Sequence, residues 1–214
     1  MAESMRKGLI VLLILAALAG FAVYSLYSLL FGGGGSAPPP RQPDRVEQNY
    51  GAQIDSAAAK YDLDPAFLKA LCFLECSGFS PAARRFEPKV YRQLKRLQNR
   101  ESSRYEHVTP EMIADASDAA LRNLASSWGP FQLMGYKCLQ VDVKVADLRG
   151  ANAVDWAARW INLTYGSYVR KGRYADAFHL HNTGHPMPAS GRAFTHDPQY
   201  VSKGLSRMAR YQTP

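Results

Sequence analysis

Between Gly8 and Phe31 the chain runs for 24 residues without a charge, GLIVLLILAALAGFAVYSLYSLLF. As a helix this run is about 36 Å long, enough to cross the apolar layer of a bilayer with some tilt. Arg6 and Lys7 precede it, and positive charge before a span predicts a cytoplasmic N-terminus. Tyr24 and Tyr27 fall toward the outer end, where aromatic rings favour the interface. A cleaved signal peptide would have a shorter apolar region followed by a small-x-small site. Here the small residues (Ala16, Ala17, Ala19, Gly20) lie inside the run. The reading is a retained single-pass signal anchor in the inner (cytoplasmic) membrane: a cytoplasmic N-terminus at 1–7, a transmembrane helix at 8–31, and the rest facing the periplasm or cell exterior. GGGGSAPPPRQPDR follows at 32–45, a linker with a flexible Gly part and a stiff, extended Pro part.

The folded domain is therefore expected over 46–214, room for one domain and not two large ones. Its composition is that of a chain with a core: 47% apolar and 21% charged residues overall. Of the formal charge of +8, residues 1–45 supply +2, which leaves the domain at +6. A basic domain outside a membrane attracts anionic envelope polymers, or is basic for solubility alone. Nucleic acid, the usual partner of a basic domain, does not fit this location, and no RNP-type aromatic motif or Cys/His finger is present. Three Cys cannot make a disulfide-dense scaffold.

Helical signals dominate, and the fold class is mainly α. Asp64–Pro65 pairs an N-cap with an N1 proline, and Gly78 offers a stop. Thr109–Pro110 and Asp197–Pro198 read as further starts. Asn152 to Val169 carries Ala153, Trp156, Ala157, Trp160, Ile161, Thr164 and Tyr168 at helical spacing, with both Trp read as core. The last helix presents Val201, Leu205, Met208 and Tyr211. Only Leu139 to Val145 (LQVDVKV) alternates as a strand would, and it is short.

Within DPAFLKALCFLECSG (64–78), Glu75 follows Leu68, Leu71 and Cys72 at i+7, i+4 and i+3. It lies along the apolar stripe and in the last helical turn. Apolar surroundings and the negative end of the helix dipole both disfavour a carboxylate, and an acid that keeps its proton is what general acid catalysis needs. The bland alternative places Glu75 at the edge of the stripe, reaching into water. Two later segments bear on this. SSWGPFQLMG (126–135) combines turn-forming Gly129, Pro130 and Gly135 with the aromatic Trp128, the amide Gln132 and the thioether Met134. FHLHNTGHP (178–186) again sets an amide, Asn182, in a Gly-bounded turn. Amides beside aromatics suit sugars, since the amide bonds hydroxyl and acetamido groups and the ring covers an apolar sugar face.

A helix ending in E-x-S-G, a G-x-x-Q-x-M turn and a Y-N-x-G-like turn, in that order, resembles the lysozyme-like superfamily of peptidoglycan-cleaving enzymes. ECSG, RFEPKVYRQL (85–94) and SSWGPFQLMG are similar to phage-type N-acetylmuramidases, and LHNTG is similar to the corresponding turn of soluble-type lytic transglycosylases. The resemblance spans roughly Ile54 to Pro186, and SWGPFQLMG is its most specific piece. It implies a lysozyme-like helical domain of the goose-type or transglycosylase-like kind. It also implies that Glu75 is the catalytic acid and Glu87 a second carboxylate or groove residue. Trp128, Gln132, Met134, His181 and Asn182 would contact the glycan. Position 76 is Cys where Ser is common. Position 181 is His where the transglycosylase turn has Tyr, which orients the acid there.

The activity so implied is cleavage of the β-1,4 bond between N-acetylmuramic acid and N-acetylglucosamine. A muramidase uses a second carboxylate; a lytic transglycosylase uses the substrate's own 6-hydroxyl. Besides Glu87, Glu106, Asp155 and Asp176 stay open as the second group. The partners are peptidoglycan glycan strands and, through the N-terminal helix, the membrane. No cofactor is implied, and His179, His181 and His185 are read as turn and groove residues, not as a metal site. Cys138 pairing with Cys72 or Cys76 stays open against three buried thiols. The alternative function is a non-catalytic wall-binding or envelope-assembly module on the same scaffold, which fold alone does not exclude.

Overall fold

A computed structural model describes residues 44–212. The proposed anchor and nearly all of the linker lie outside the described residues. Among the described residues no helix is long and apolar enough to cross a membrane.

Among the described residues, seven α-helices and a small sheet make up the domain: α1 (Arg45–Tyr61), α2 (Pro65–Cys76), β1 (Arg85–Phe86), α3 (Pro88–Gln98), α4 (Asp118–Leu124), β2 (Ser126–Trp128), β3 (Leu133–Met134), α5 (Ala153–Arg170), α6 (Tyr174–Thr183) and α7 (Tyr200–Gln212). The mainly α expectation holds. The three strands form an antiparallel sheet in the order β1-β2-β3, with Arg85 opposite Ser127 and Ser127 opposite Met134. LQVDVKV is not a strand; it spans the end of one 3-10 turn, Gly135–Gln140, and the start of another, Val145–Leu148. Thr109–Pro110 opens only a single 3-10 turn, Glu111–Ile113.

α2 is the central helix. The Asp64 side chain accepts from the Ala66 and Phe67 N–H groups at 2.8 and 3.3 Å, and Pro65 follows at N1. Leu68, Leu71 and Cys72 are fully buried, and so are Phe67 and Ala70. The apolar surface is thus broader than one stripe, as it must be for a helix covered by α1 on one side and α7 on another. α2 ends with Ser77 and Gly78 in left-handed backbone (φ 52° and 72°). Asn49 and Tyr50 of α1 hold this end by hydrogen bonds to the Gly78 and Phe79 carbonyls, 2.8 and 2.7 Å.

Apolar side chains gather in two clusters. The larger joins α1, α2, α5, α6 and α7; the smaller lies under α3, α4 and the 3-10 turns, with Leu94, Leu97, Leu121 and Trp128 in it. On α7 the buried residues are Tyr200, Val201, Gly204 and Met208, whereas Leu205 is exposed. Gly204 lets α7 approach α6, because a Cβ there would meet the Phe178 ring at 2.9 Å.

Candidate functional site

The hairpin β2–β3 carries the SSWGPFQLMG motif. Its loop is closed by Gln132 N–H to the Gly129 carbonyl, 3.1 Å. Gly129 has φ +71°, and a Cβ there would stand 2.3 Å from the Leu148 carbonyl oxygen. Gly135 is required by close approach: its Cβ would stand 2.2 Å from the Asn123 carbonyl oxygen. Gln132 itself has φ +47°, a left-handed position uncommon for a side-chain-bearing residue. Its amide locks the turn. The NH2 group donates to the Ala83 and Gly129 carbonyls at 2.8 and 3.0 Å, and the oxygen accepts from Ser127 Oγ at 2.7 Å. Both amide protons are committed to the protein, which leaves one oxygen lone pair for a ligand.

Beside this hairpin opens a cleft of about 600 Å³, whose lining includes Gln132, Met134, Tyr165, His181 and Asn182. Four residues expected from the sequence are thus brought together. Asn182 is not in a turn: α6 continues through Thr183, and Gly184 caps it at φ +78°. Trp160 is 6% exposed and donates from Nε1 to Gln140 Oε1 at 2.8 Å, so it is core and cleft wall at once. Trp128 is placed elsewhere. It is 6% exposed, donates to the Asn123 carbonyl at 2.9 Å, and borders a separate cavity of about 340 Å³.

Glu75 stands in the last turn of α2 with 17% of its side chain exposed. Its Oε1 accepts from the Tyr200 hydroxyl, brought from the first turn of α7. The same oxygen lies 3.7 Å from His181 Nε2 on the cleft wall. Burial first, and then the Glu75 charge, push the Tyr200 hydroxyl well above the usual phenol range, so Tyr200 stays a donor. His181 is held in one tautomer. Its Nε2–H donates to the Phe131 carbonyl at 3.0 Å, so Nδ1 accepts from the Tyr165 hydroxyl at 2.6 Å. Burial lowers the His181 pKa, although Glu75 and the Phe131 carbonyl pull the other way, and the ring is neutral near pH 7. Tyr165 owes its position to an irregularity in α5. The Thr164 hydroxyl bonds back to the Trp160 carbonyl at 2.7 Å, a contact that bends helices, and Tyr165 next to it leaves helical geometry (φ −143°, ψ 15°).

Sequence reasoning names His181 in the place of an acid-orienting Tyr. The hydroxyl that bonds Glu75 comes instead from Tyr200, 125 residues away. Tyr165 and Tyr200 carry no local signal; only the Asp197–Pro198 start puts Tyr200 in a first helical turn, facing the core.

Glu87 precedes α3, its backbone N–H bonded to the Ala125 carbonyl at 2.9 Å, and its carboxylate pairs with Arg85 Nε at 2.6 Å. Neither Glu87 nor Glu75 is among the residues that line the cleft, whereas Glu106 is; Glu75 adjoins it through His181. Asp155 pairs with Lys60, and Asp176 with Arg173. His179 is fully buried: Nδ1–H donates to the His185 carbonyl at 2.7 Å, and Nε2 accepts from Phe194 N–H at 3.3 Å. It fastens the segment after α6. All three cysteines are free thiols; Cys72 and Cys138 belong to different clusters, and Cys72 Sγ lies 3.7 Å from Cys76 Sγ.

No family model matches the chain, and no curated protein does. Among solved structures it is similar to the crystal structure of the Burkholderia AP3 phage endolysin, with a TM-score of 0.50 and 20% identity, covering 88% of this chain and 77% of that one. At that identity the likeness is one of fold alone.

Proposed function

We propose that the protein is a peptidoglycan glycosidase, tethered to the membrane by residues 8–31, that cleaves the β-1,4 bond between N-acetylmuramic acid and N-acetylglucosamine. The observation that carries this reading is the Glu75 arrangement. A mostly buried carboxyl at a helix end is oriented by Tyr200 and lies 3.7 Å from a neutral His181, the residue that joins it to the wall of an open cleft. The fold shared with a phage endolysin supports it.

In this mechanism Glu75 gives its proton to the leaving glycosidic oxygen as an oxocarbenium-like centre develops. Both contacts described above fall on Oε1, which leaves Oε2 to serve the leaving oxygen. Tyr200 fixes the carboxyl plane. The neutral, fully hydrogen-bonded His181 supplies shape without a competing positive charge. Gln132 holds the hairpin and accepts one hydrogen bond from the glycan, while Met134 and Asn182 contact it along the wall. Under the muramidase route Glu87 is the second carboxylate suggested by the sequence.

The test uses the full chain in detergent micelles with purified peptidoglycan, and identifies released muropeptides by mass. Release by the native chain and none by Glu75→Gln is expected. Reducing ends indicate hydrolysis, and 1,6-anhydro ends indicate intramolecular transfer. Equal release by the variant, or none by the native chain, overturns the assignment and favours a wall-binding module. A Glu87→Gln chain that cleaves normally removes Glu87 from the reaction.

A further inference from the structure

One charged pair of the cleft, Glu106 and Lys137, makes no contact with Glu75 among the interactions described above. Glu106 occupies the first corner of a tight turn, Tyr105–Val108, closed by backbone hydrogen bonds of 3.0 and 2.9 Å. Its φ is +50°, in the left-handed region that glycine occupies without steric cost. A glutamate held in such a corner is an unfavourable local choice that needs compensation from its side chain. The carboxylate is tightly set. It accepts from the buried Tyr136 hydroxyl at 2.5 Å and from the Lys137 ammonium. Burial works against its charge, but these two hydrogen bonds together outweigh it and hold the carboxyl below the usual range. Lys137 is fixed as well. Its ammonium lies 5.0 Å from the Tyr136 ring and 4.9 Å from the Trp160 ring, with 17% of the side chain exposed against 45% for Glu106.

Both residues line the same cleft as His181 and Tyr165. Oriented and ionised, the pair presents a spare acceptor beside a spare donor. Lys137 gives one of its three protons to Glu106, and each carboxylate oxygen keeps a further lone pair. An acceptor next to a donor matches two neighbouring polar groups on a pyranose ring.

We propose that Glu106 and Lys137 form a sugar-binding subsite of the cleft, distinct from the groups that touch Glu75. One hydroxyl or acetamido N–H of a glycan unit donates to the Glu106 carboxylate, and an adjacent hydroxyl oxygen accepts from Lys137. The subsite rests on the reading of this cleft as a glycan groove, and it gives the strained corner at residue 106 a purpose.

The test is calorimetric binding of a β-1,4-linked N-acetylglucosamine hexamer to the full chain in detergent, carrying Glu75→Gln to prevent turnover. In this host, Glu106→Gln and Lys137→Met are each expected to weaken binding about tenfold or more, the scale of a hydrogen bond to a charged group. Glutamine keeps the shape at 106 and methionine keeps the stem packing at 137, while each loses the ion pair, so a melting curve is used to confirm that both variants are folded at the assay temperature. Lys137→Arg should restore affinity to within about threefold of the host. Changes below twofold for both losses, failure of the Arg rescue, or no binding by the host overturns the subsite. The reaction is judged separately, by muropeptide release from the chain with native Glu75. Glu106-dependent binding in a chain that releases nothing keeps the subsite and overturns the reaction. Host-like affinity of the Glu106→Gln variant, in a protein that cleaves, does the reverse.

Discussion

Tyr200 ties Glu75, on α2, to the far end of the chain. Sequence spacing puts Glu75 along the apolar stripe, because three residues at i−3, i−4 and i−7 are apolar and the helix has a strong start; in the structure 17% of its side chain is exposed. Spacing has nothing to say about Tyr200, since the contact depends on how α7 packs across α2. The same holds for His181. Its position in the motif is legible, but its neutral state follows from burial and from two partners, Phe131 and Tyr165, that lie on other elements. Removing the Tyr200 hydroxyl leaves Glu75 free to rotate. A Tyr200→Phe chain should lose about tenfold to a hundredfold in kcat, the range for one hydrogen bond to a charged group. KM should change little, and single-turnover assays on labelled peptidoglycan measure both.

At the scale of elements, the helices were readable and the sheet was not. Asp64–Pro65 and Asn152 to Val169 give starts and periodicity over many residues. The strands have two or three residues each, too short for any alternation to register. What announced the hairpin was its turn chemistry, Gly129, Pro130 and Gly135, and the reasons are visible in the backbone. At Gly129 a methyl group would meet the Leu148 carbonyl oxygen at 2.3 Å, in a conformation already unfavourable for alanine. A Gly129→Ala chain should lose about 2–4 kcal/mol of stability, from a displaced backbone added to the strain. Urea unfolding followed by circular dichroism reads this directly. The amide of Gln132 was expected to face the glycan. The turn takes most of it, because a left-handed glutamine needs its own side chain to hold the loop shut.

For the whole molecule, two properties are open to measurement. The first is stability against pH. Burial first of all holds His107 and His181 below the ordinary histidine value of 6.5. Each therefore binds its proton more readily when unfolded, and stability rises with pH wherever that difference exists. The contribution is complete above about 6.5 and is lost as pH falls from there toward the depressed values. Thermal midpoints should drop between pH 7 and 5, and a chain carrying His107→Gln and His181→Gln should show a flatter slope. Glu106, held below 4.5, adds its own loss only in more acid solution. The second property is attachment. If residues 8–31 anchor the chain, alkaline carbonate washing should leave it in the membrane pellet, and deletion of the run should release it; a full-length chain that washes off would refute the tether.

The commitment of both amide donors at position 132 has a kinetic consequence. A hairpin that satisfies its own donors does not wait for an incoming molecule to give it shape, so the groove wall is rigid before any encounter. Stopped-flow mixing with an oligosaccharide should then give observed rates that climb in proportion to ligand concentration, with no slow plateau from a rearranging loop.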